Sequence, residues 1–235
     1  MNHVQGCSHG CLYPCYAYLM AKRFGKVDGY SDWCEPRLVE NTLELLEKEL
    51  PRLRRKIKSV QLCFTTDPFM YGYEDVRDMS LAAIARLNAE CIPCVVLTKG
   101  ILPEELAGTF EKNIFGITIV SLDEGYREAY EPGAAPYELR IGALKRLHEA
   151  GFSTWVSMEP YPTPNIHDQN IEDVLDAVSF VNKIIFGRTN YNKTVSAYPG
   201  CKAWYNNAAK TVMRYCQENG IDFLIKKGTM TEDKA

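Results

Sequence analysis

The chain has 235 residues, 46% hydrophobic and 24% charged, which fits one folded domain with a sizeable core. Its formal charge of −3 argues against a protein that coats nucleic acid by neutralising phosphates. No run approaches the roughly 18 consecutive apolar residues of a membrane span and no secretory signal is visible, so the expected location is the cytoplasm, away from membranes. Nine scattered cysteines, an odd count, suit a reducing compartment better than a disulfide framework.

Only six residues precede Cys7, so a first strand would be short, about His3 to Gly6, with room for further residues ahead of Met1. A cysteine-rich loop follows. Leu43, Leu46, Leu50 and Leu53 recur at three- and four-residue steps, predicting an amphipathic helix over about 36–55 with Pro36 in its first turn. Val60 to Phe64 reads as a strand, 74–89 as a helix, and Pro93 to Thr98 as a strand. A short helix from Pro103 leads to a β-branched strand at Gly116 to Ser121.

Pro136 to Ala150 reads as a helix with Leu139, Ala143, Leu144 and Leu147 inward and Gly151 as its stop. Thr154 to Met158 is the next strand, then a helix near 171–182 and a strand at Lys183 to Phe186. The last helix turns Tyr205, Ala208, Ala209, Val212, Met213 and Cys216 inward, ahead of a final strand at Asp222 to Ile225. Strands alternating with helices imply parallel βαβ units. The expected fold is α/β, a single-domain partial (β/α)6 barrel over residues 1–228, with 229–235 a frayed tail.

The chemistry concentrates in Gly6-Cys7-Ser8-His9-Gly10-Cys11-Leu12-Tyr13-Pro14-Cys15-Tyr16-Ala17. Thiolates select zinc and iron–sulfur clusters. Three of them hold a cubane with one iron left open, whereas a structural zinc closes on four ligands, here with His9 or Cys34 as the fourth. Cys91-Ile92-Pro93-Cys94, with no second pair, reads as buried strand-end thiols. The basic run Arg52, Arg54, Arg55, Lys56 and Lys58 reads as a solvated helix face.

In a parallel barrel the sites gather at the C-terminal strand ends. There the sequence sets Thr65-Thr66-Asp67-Pro68, Thr98-Lys99-Gly100, Ser121 with Asp123, Glu159-Pro160 with His167 and Asp168, and Gly187 to Tyr191. Each group has a bland reading as a turn, cap or solvated side chain. Together, in register with the cysteine loop, they suit a zwitterionic, ribose-bearing ligand.

Gly-Cys-x-His-Gly-Cys followed by Cys-Tyr-Ala resembles the cluster loop of radical S-adenosylmethionine (SAM) enzymes, nearest the branch of spore photoproduct lyase. That family spaces its cysteines by three residues and then two, with an aromatic before the third. Here both gaps hold three, Pro14 precedes Cys15, and Tyr13 lies one step back, so that it either bulges outward or shifts the third ligand.

The resemblance implies a [4Fe–4S] cluster on Cys7, Cys11 and Cys15, with SAM chelating the open iron. It implies that Thr65, Thr66 and Asp67 meet the methionine amino group, Lys99 its carboxylate, Ser121 the ribose and Tyr13 the adenine. Glu131-Pro132 with Arg140 matches a further signature of that branch, with Arg140 among the cofactor contacts. One electron from a low-potential donor would cleave SAM to a 5′-deoxyadenosyl radical that abstracts hydrogen from an unnamed substrate. In that branch a cysteine near the second strand end returns hydrogen, and Cys63 lies close to that place. Nucleic acid is a possible substrate that the acidic balance does not support. The competing reading is a non-catalytic zinc or iron–sulfur module.

Overall fold

The computed structural model describes residues 1–231. Six strands form one parallel sheet in chain order: β3 (Val60–Gln61), β4 (Cys94–Thr98), β5 (Ile114–Thr118), β6 (Ser153–Tyr161), β7 (Lys183–Arg188) and β8 (Asp222–Ile225). Sequential parallel strands joined by crossovers of one hand carry all their helices on one face, which curls the sheet into a partial barrel. Those helices are α4 (Glu74–Asn88), a 3-10 turn (Glu104–Gly108), α5 (Glu124–Tyr130), α6 (Tyr137–Glu149), α7 (Ile171–Ala177), α8 (Lys193–Ser196) and α9 (Cys201–Glu218).

The pleat separates two faces. Val96, Val156, Ile184 and Phe186 are fully buried against the helices. Leu97, Trp155, Ser157 and Ile185 face a cavity on the concave side.

Ahead of this sheet, β1 (Val4–Gln5) pairs antiparallel with β2 (Arg37–Leu38). The strand expected at His3 to Gly6 is therefore confined to Val4–Gln5 and lies outside the six-stranded sheet. The Met1 nitrogen donates to the Gln61 carbonyl and the Cys63 N–H donates to the Met1 carbonyl, both at 2.7 Å, laying the chain beside β3. Between β1 and β2 run α1 (Tyr16–Arg23) and α2 (Tyr30–Trp33), and α3 (Thr42–Leu53) follows.

Several boundaries differ from expectation. Pro36 precedes β2 rather than opening a helix, because that segment pairs with β1, so α3 begins only at Thr42. The second strand ends early: the Leu62 N–H still reaches the Val95 carbonyl, but Cys63 turns left-handed with φ of 45°. The fourth predicted strand begins two residues and ends three residues before expectation, and α5, capped by Asp123 at Gly125 N–H, follows it. Leu139 faces solvent on α6, while Ala143, Leu144 and Leu147 are buried as expected.

Cys94 is buried but Cys91 is exposed, so the Cys-x-x-Cys motif is no buried pair. The basic run is exposed, with Arg54 paired to Glu90 at 2.8 Å. The tail is tied down through Thr231. Thr229 is buried, its hydroxyl accepts from Arg188 N–H, and Thr231 exchanges two hydrogen bonds with the Asn206 side chain. Residues 232–235 of the predicted tail lie outside the described residues. No helix among the described residues is long and apolar enough to cross a membrane.

Candidate active site

The concave face and the cysteine loop enclose a cavity of about 610 Å³ over the C-terminal strand ends. Cys7, Cys11 and Cys15 line one side of it. The ends of β3 and β4 add Cys63, Thr65, Thr66, Asp67, Thr98 and Lys99. Thr118, Trp155, Ser157, Glu159, Arg188 and Lys226 form the remaining wall.

The loop is held from several sides. Cys7 N–H donates to the Trp33 carbonyl at 2.8 Å, and Leu12 N–H to the Tyr130 carbonyl at 2.8 Å. Gly133 N–H donates to the His9 carbonyl at 2.9 Å. A Cβ on Gly133 would stand 2.0 Å from the Ser8 carbonyl oxygen, so only glycine admits this approach. Leu12 is 61% exposed, while Tyr13 turns inward at 8%. Tyr13 therefore does not bulge outward.

Asp67 ties the loop to the strand ends. Its Oδ2 accepts from His9 Nε2 at 2.7 Å and Lys99 N–H at 2.8 Å. Its Oδ1 accepts from Phe69 N–H at 2.8 Å and the Thr98 hydroxyl at 2.6 Å. Burial acts to raise its pKa, but His9 and these donors outweigh it and hold the carboxyl below its ordinary value. With four donors on two oxygens, Asp67 is saturated as an acceptor.

A second buried carboxylate, Glu131, ends α5. Its Oε1 accepts from the Tyr13 hydroxyl at 2.7 Å and Lys99 Nζ at 2.6 Å, and its Oε2 from Arg140 at 3.1 Å. Burial alone would raise its pKa; the Lys99 and Arg140 charges reverse that and bring it to about 2. Arg140 also donates to the Ala135 and Thr118 carbonyls at 2.7 and 3.0 Å.

The structure thus brings Cys7, Cys11, Cys15, Tyr13, Thr65, Thr66, Asp67 and Lys99 to one cavity. Two predicted contacts lie elsewhere. Arg140 is fully buried behind Glu131 and outside the cavity wall. Ser121, three residues past the end of β5, is fully buried against His167 Nε2 at 2.9 Å. Thr118 and Ser157, the hydroxyls that do face the cavity, were legible only through the pleat alternation of correctly placed strands.

Three thiols along one cavity wall suit a cubane. Cubane thiolates each take a separate iron, so they flank a volume instead of meeting at a point. His9 is committed to Asp67, and Cys34 lies against Tyr30, near Cys15 but off the cavity wall. Burial raises Cys7 well above the ordinary thiol pKa and Cys11 to about 12. The positive charge of bound metal is what would hold both as thiolates.

Comparison with known proteins agrees. Residues 1–178 match the radical SAM superfamily. An uncharacterized protein of Acidianus two-tailed virus, ORF301, is 23% identical over 190 residues, covering 76% of this chain and 60% of its own length. The fold is similar to spore photoproduct lyase complexed with dinucleoside spore photoproduct (TM-score 0.67, 16% identity, 95% of this chain and 75% of that one). It is also similar to Streptococcus suis SuiB bound to S-adenosylmethionine (TM-score 0.55, 14% identity, 78% of this chain and 43% of that one). With three cysteines of the loop facing the barrel cavity and the match covering most of its length, this chain belongs to the radical SAM superfamily.

Proposed function

We propose that the chain holds a [4Fe–4S] cluster on Cys7, Cys11 and Cys15, binds SAM beside it, and abstracts hydrogen from a substrate at the β6–β8 end of the cavity. The observation that carries this reading is the sharing of one cavity by the three thiols, Lys99 and the polar strand ends. When bound, the cluster and SAM supply a 5′-deoxyadenosyl radical by one-electron reductive cleavage. The protein's part is placement.

Lys99 Nζ spends one donor on Glu131 and keeps two for the methionine carboxylate. Thr65 lines the cavity, while Thr66 donates its hydroxyl to the Val4 carbonyl at 3.1 Å. Asp67 acts by positioning His9, Thr98 and the Lys99 backbone. Thr118 and Ser157 take the ribose role expected of Ser121, and Arg140 acts only through Glu131. Tyr13, with Lys99 Nζ 5.5 Å from its ring centroid, forms a wall for the adenine.

Cys63 supports a hydrogen-donor role towards a substrate radical. It lines the cavity, and its Sγ lies 3.5 Å from His3 Nδ1. Burial holds His3 neutral, with a pKa of about 4, so it can orient the thiol hydrogen as an acceptor. Nine free cysteines favour a reducing cytoplasm as the setting.

The test is anaerobic reconstitution followed by EPR with and without SAM and assay of 5′-deoxyadenosine under dithionite. A cluster signal that changes with SAM, together with nucleoside release, is the expected result. A cluster blind to SAM would leave an electron-transfer protein, and a colourless zinc protein would end the enzyme reading.

A further inference from the structure

Beyond the groups assigned to SAM, the cavity wall is built from the ends of β6, β7 and β8. Glu159 on β6 reaches across Gly187 of β7 to Lys226 just past β8, with Oε2 3.3 Å from Nζ. A Cβ on Gly187 would stand 2.7 Å from the Glu159 carboxyl carbon, so glycine there gives the carboxylate its place.

Charges along the cavity are matched at every other point. His9 pairs with Asp67, Lys99 with Glu131 and Lys226 with Glu159. Arg188, half-buried in the same wall, has no carboxylate partner among the described residues. Its Nε donates to Asn190 Oδ1 at 2.8 Å, and the Asn190 side chain donates back to the Arg188 carbonyl at 3.4 Å. That brace holds the guanidinium and leaves its terminal nitrogens uncommitted among the described residues. They form the fork that matches a carboxylate or a phosphate.

Tyr191 follows on the same loop. It lines the cavity and is 75% exposed. Its φ of 58° is left-handed, a region that disfavours a side chain and that glycine enters without strain. So exposed a ring contributes little packing to offset that cost. Strain of this kind collects where a side chain is presented to a ligand.

From this wall we infer that the substrate is a small aromatic monoanion, whose carboxylate or phosphate sits on the Arg188 fork and whose ring lies against Tyr191. The inference rests on the radical SAM reading for the reaction, while the binding site stands on these residues alone. One unpaired cation suits one anionic group. A nucleic acid strand needs a row of cations along its backbone, which an acidic chain with its other cavity cations paired does not offer.

The test is a ligand-observed NMR titration of the anaerobically reconstituted chain, with and without saturating SAM and without reductant, so that nothing turns over. Phenylacetate and phenyl phosphate are the probes, and their relative affinity tells which anion the fork prefers. Phenylacetamide removes the charge and cyclohexylacetate the aromatic ring. The expected result is saturable binding of at least one anion below about 10 mM, with phenylacetamide at least about tenfold weaker. Arg188→Gln should weaken the anion by a similar factor. Tyr191→Gly should weaken it about threefold and keep the melting temperature near that of the parent, because glycine relieves the left-handed strain.

No saturable binding by the parent, or affinity unchanged in Arg188→Gln or in Tyr191→Gly, overturns the proposal. Phenylacetamide or cyclohexylacetate bound as tightly as phenylacetate does the same. So does displacement of the probe by SAM, which would place it at Lys99, or by a tighter-binding single-stranded oligonucleotide. Failure to take up a cluster or SAM would instead sink the radical SAM reading, and the same titration on that protein would still decide the anion site.

Discussion

Tyr13 and Glu131, 118 residues apart in the chain, meet in a 2.7 Å hydrogen bond that closes the cluster loop onto the end of α5. The same carboxylate oxygen holds Lys99, and the other holds Arg140. One buried anion thereby joins the loop, the fourth strand and the sixth helix. Removing either charge partner from such a group leaves the rest buried and unpaired.

Glu131→Ala should therefore destabilise the protein by about 3–5 kcal/mol in chemical denaturation. The carboxyl is held at about 2 in the folded chain, below its ordinary value, so its contribution is complete above the unfolded pKa. That contribution fades as pH falls from about 4.5 towards 2. Stability of the parent should drop across this window more steeply than that of Glu131→Gln. Parallel acid titrations with the same slope for both would refute it.

Asp67 accepts four hydrogen bonds from three parts of the chain. Asp67→Ala leaves buried donors without partners, at a cost of about 1–3 kcal/mol for each. Iron uptake on reconstitution should fall with it, because His9 loses its anchor. Full iron incorporation and an unchanged melting temperature would show that the loop is held by other means.

Substituting Cys7, Cys11 or Cys15 by Ala should each reduce bound iron and sulfide from about four per chain to near zero. Cys34→Ala should leave both unchanged, because Cys34 lies outside the cavity wall. Equal losses for Cys34 would return it to the ligand set.

Gly133→Ala tests the backbone approach at the loop. The added methyl would meet the Ser8 carbonyl at 2.0 Å, so the loop must shift. Iron content should fall while far-UV circular dichroism stays that of the parent. Normal iron uptake would mean that the loop tolerates the displacement.

Cys63→Ala should leave the SAM-dependent EPR change and 5′-deoxyadenosine release intact, since the side chain only lines the cavity wall. Loss of release together with the cluster would assign Cys63 to the fold or the metal.

The cysteine loop, the parallel α/β order and the polar strand ends are legible from residue order, because each is carried by local spacing or by residue type at a turn. The sequence also marks the strands after β4 and the long helices α4, α6 and α9 to within a few residues, where apolar periodicity extends over several turns. Other features depended on pairing between distant segments. Pro36 was misread because β2 forms only when β1 lies beside it. Ser121 lies three residues beyond the strand whose end it was expected to mark, and pleat alternation turns such an odd offset into a change of face. Arg140 carried the right chemistry, but Glu131 lies between it and the cavity, a relation set by the packing of α5 and α6. Tertiary structure alone decided which polar groups reach the cavity and which are spent holding one another, since a buried carboxylate can take its donors from any part of the chain that folding brings within hydrogen-bond reach.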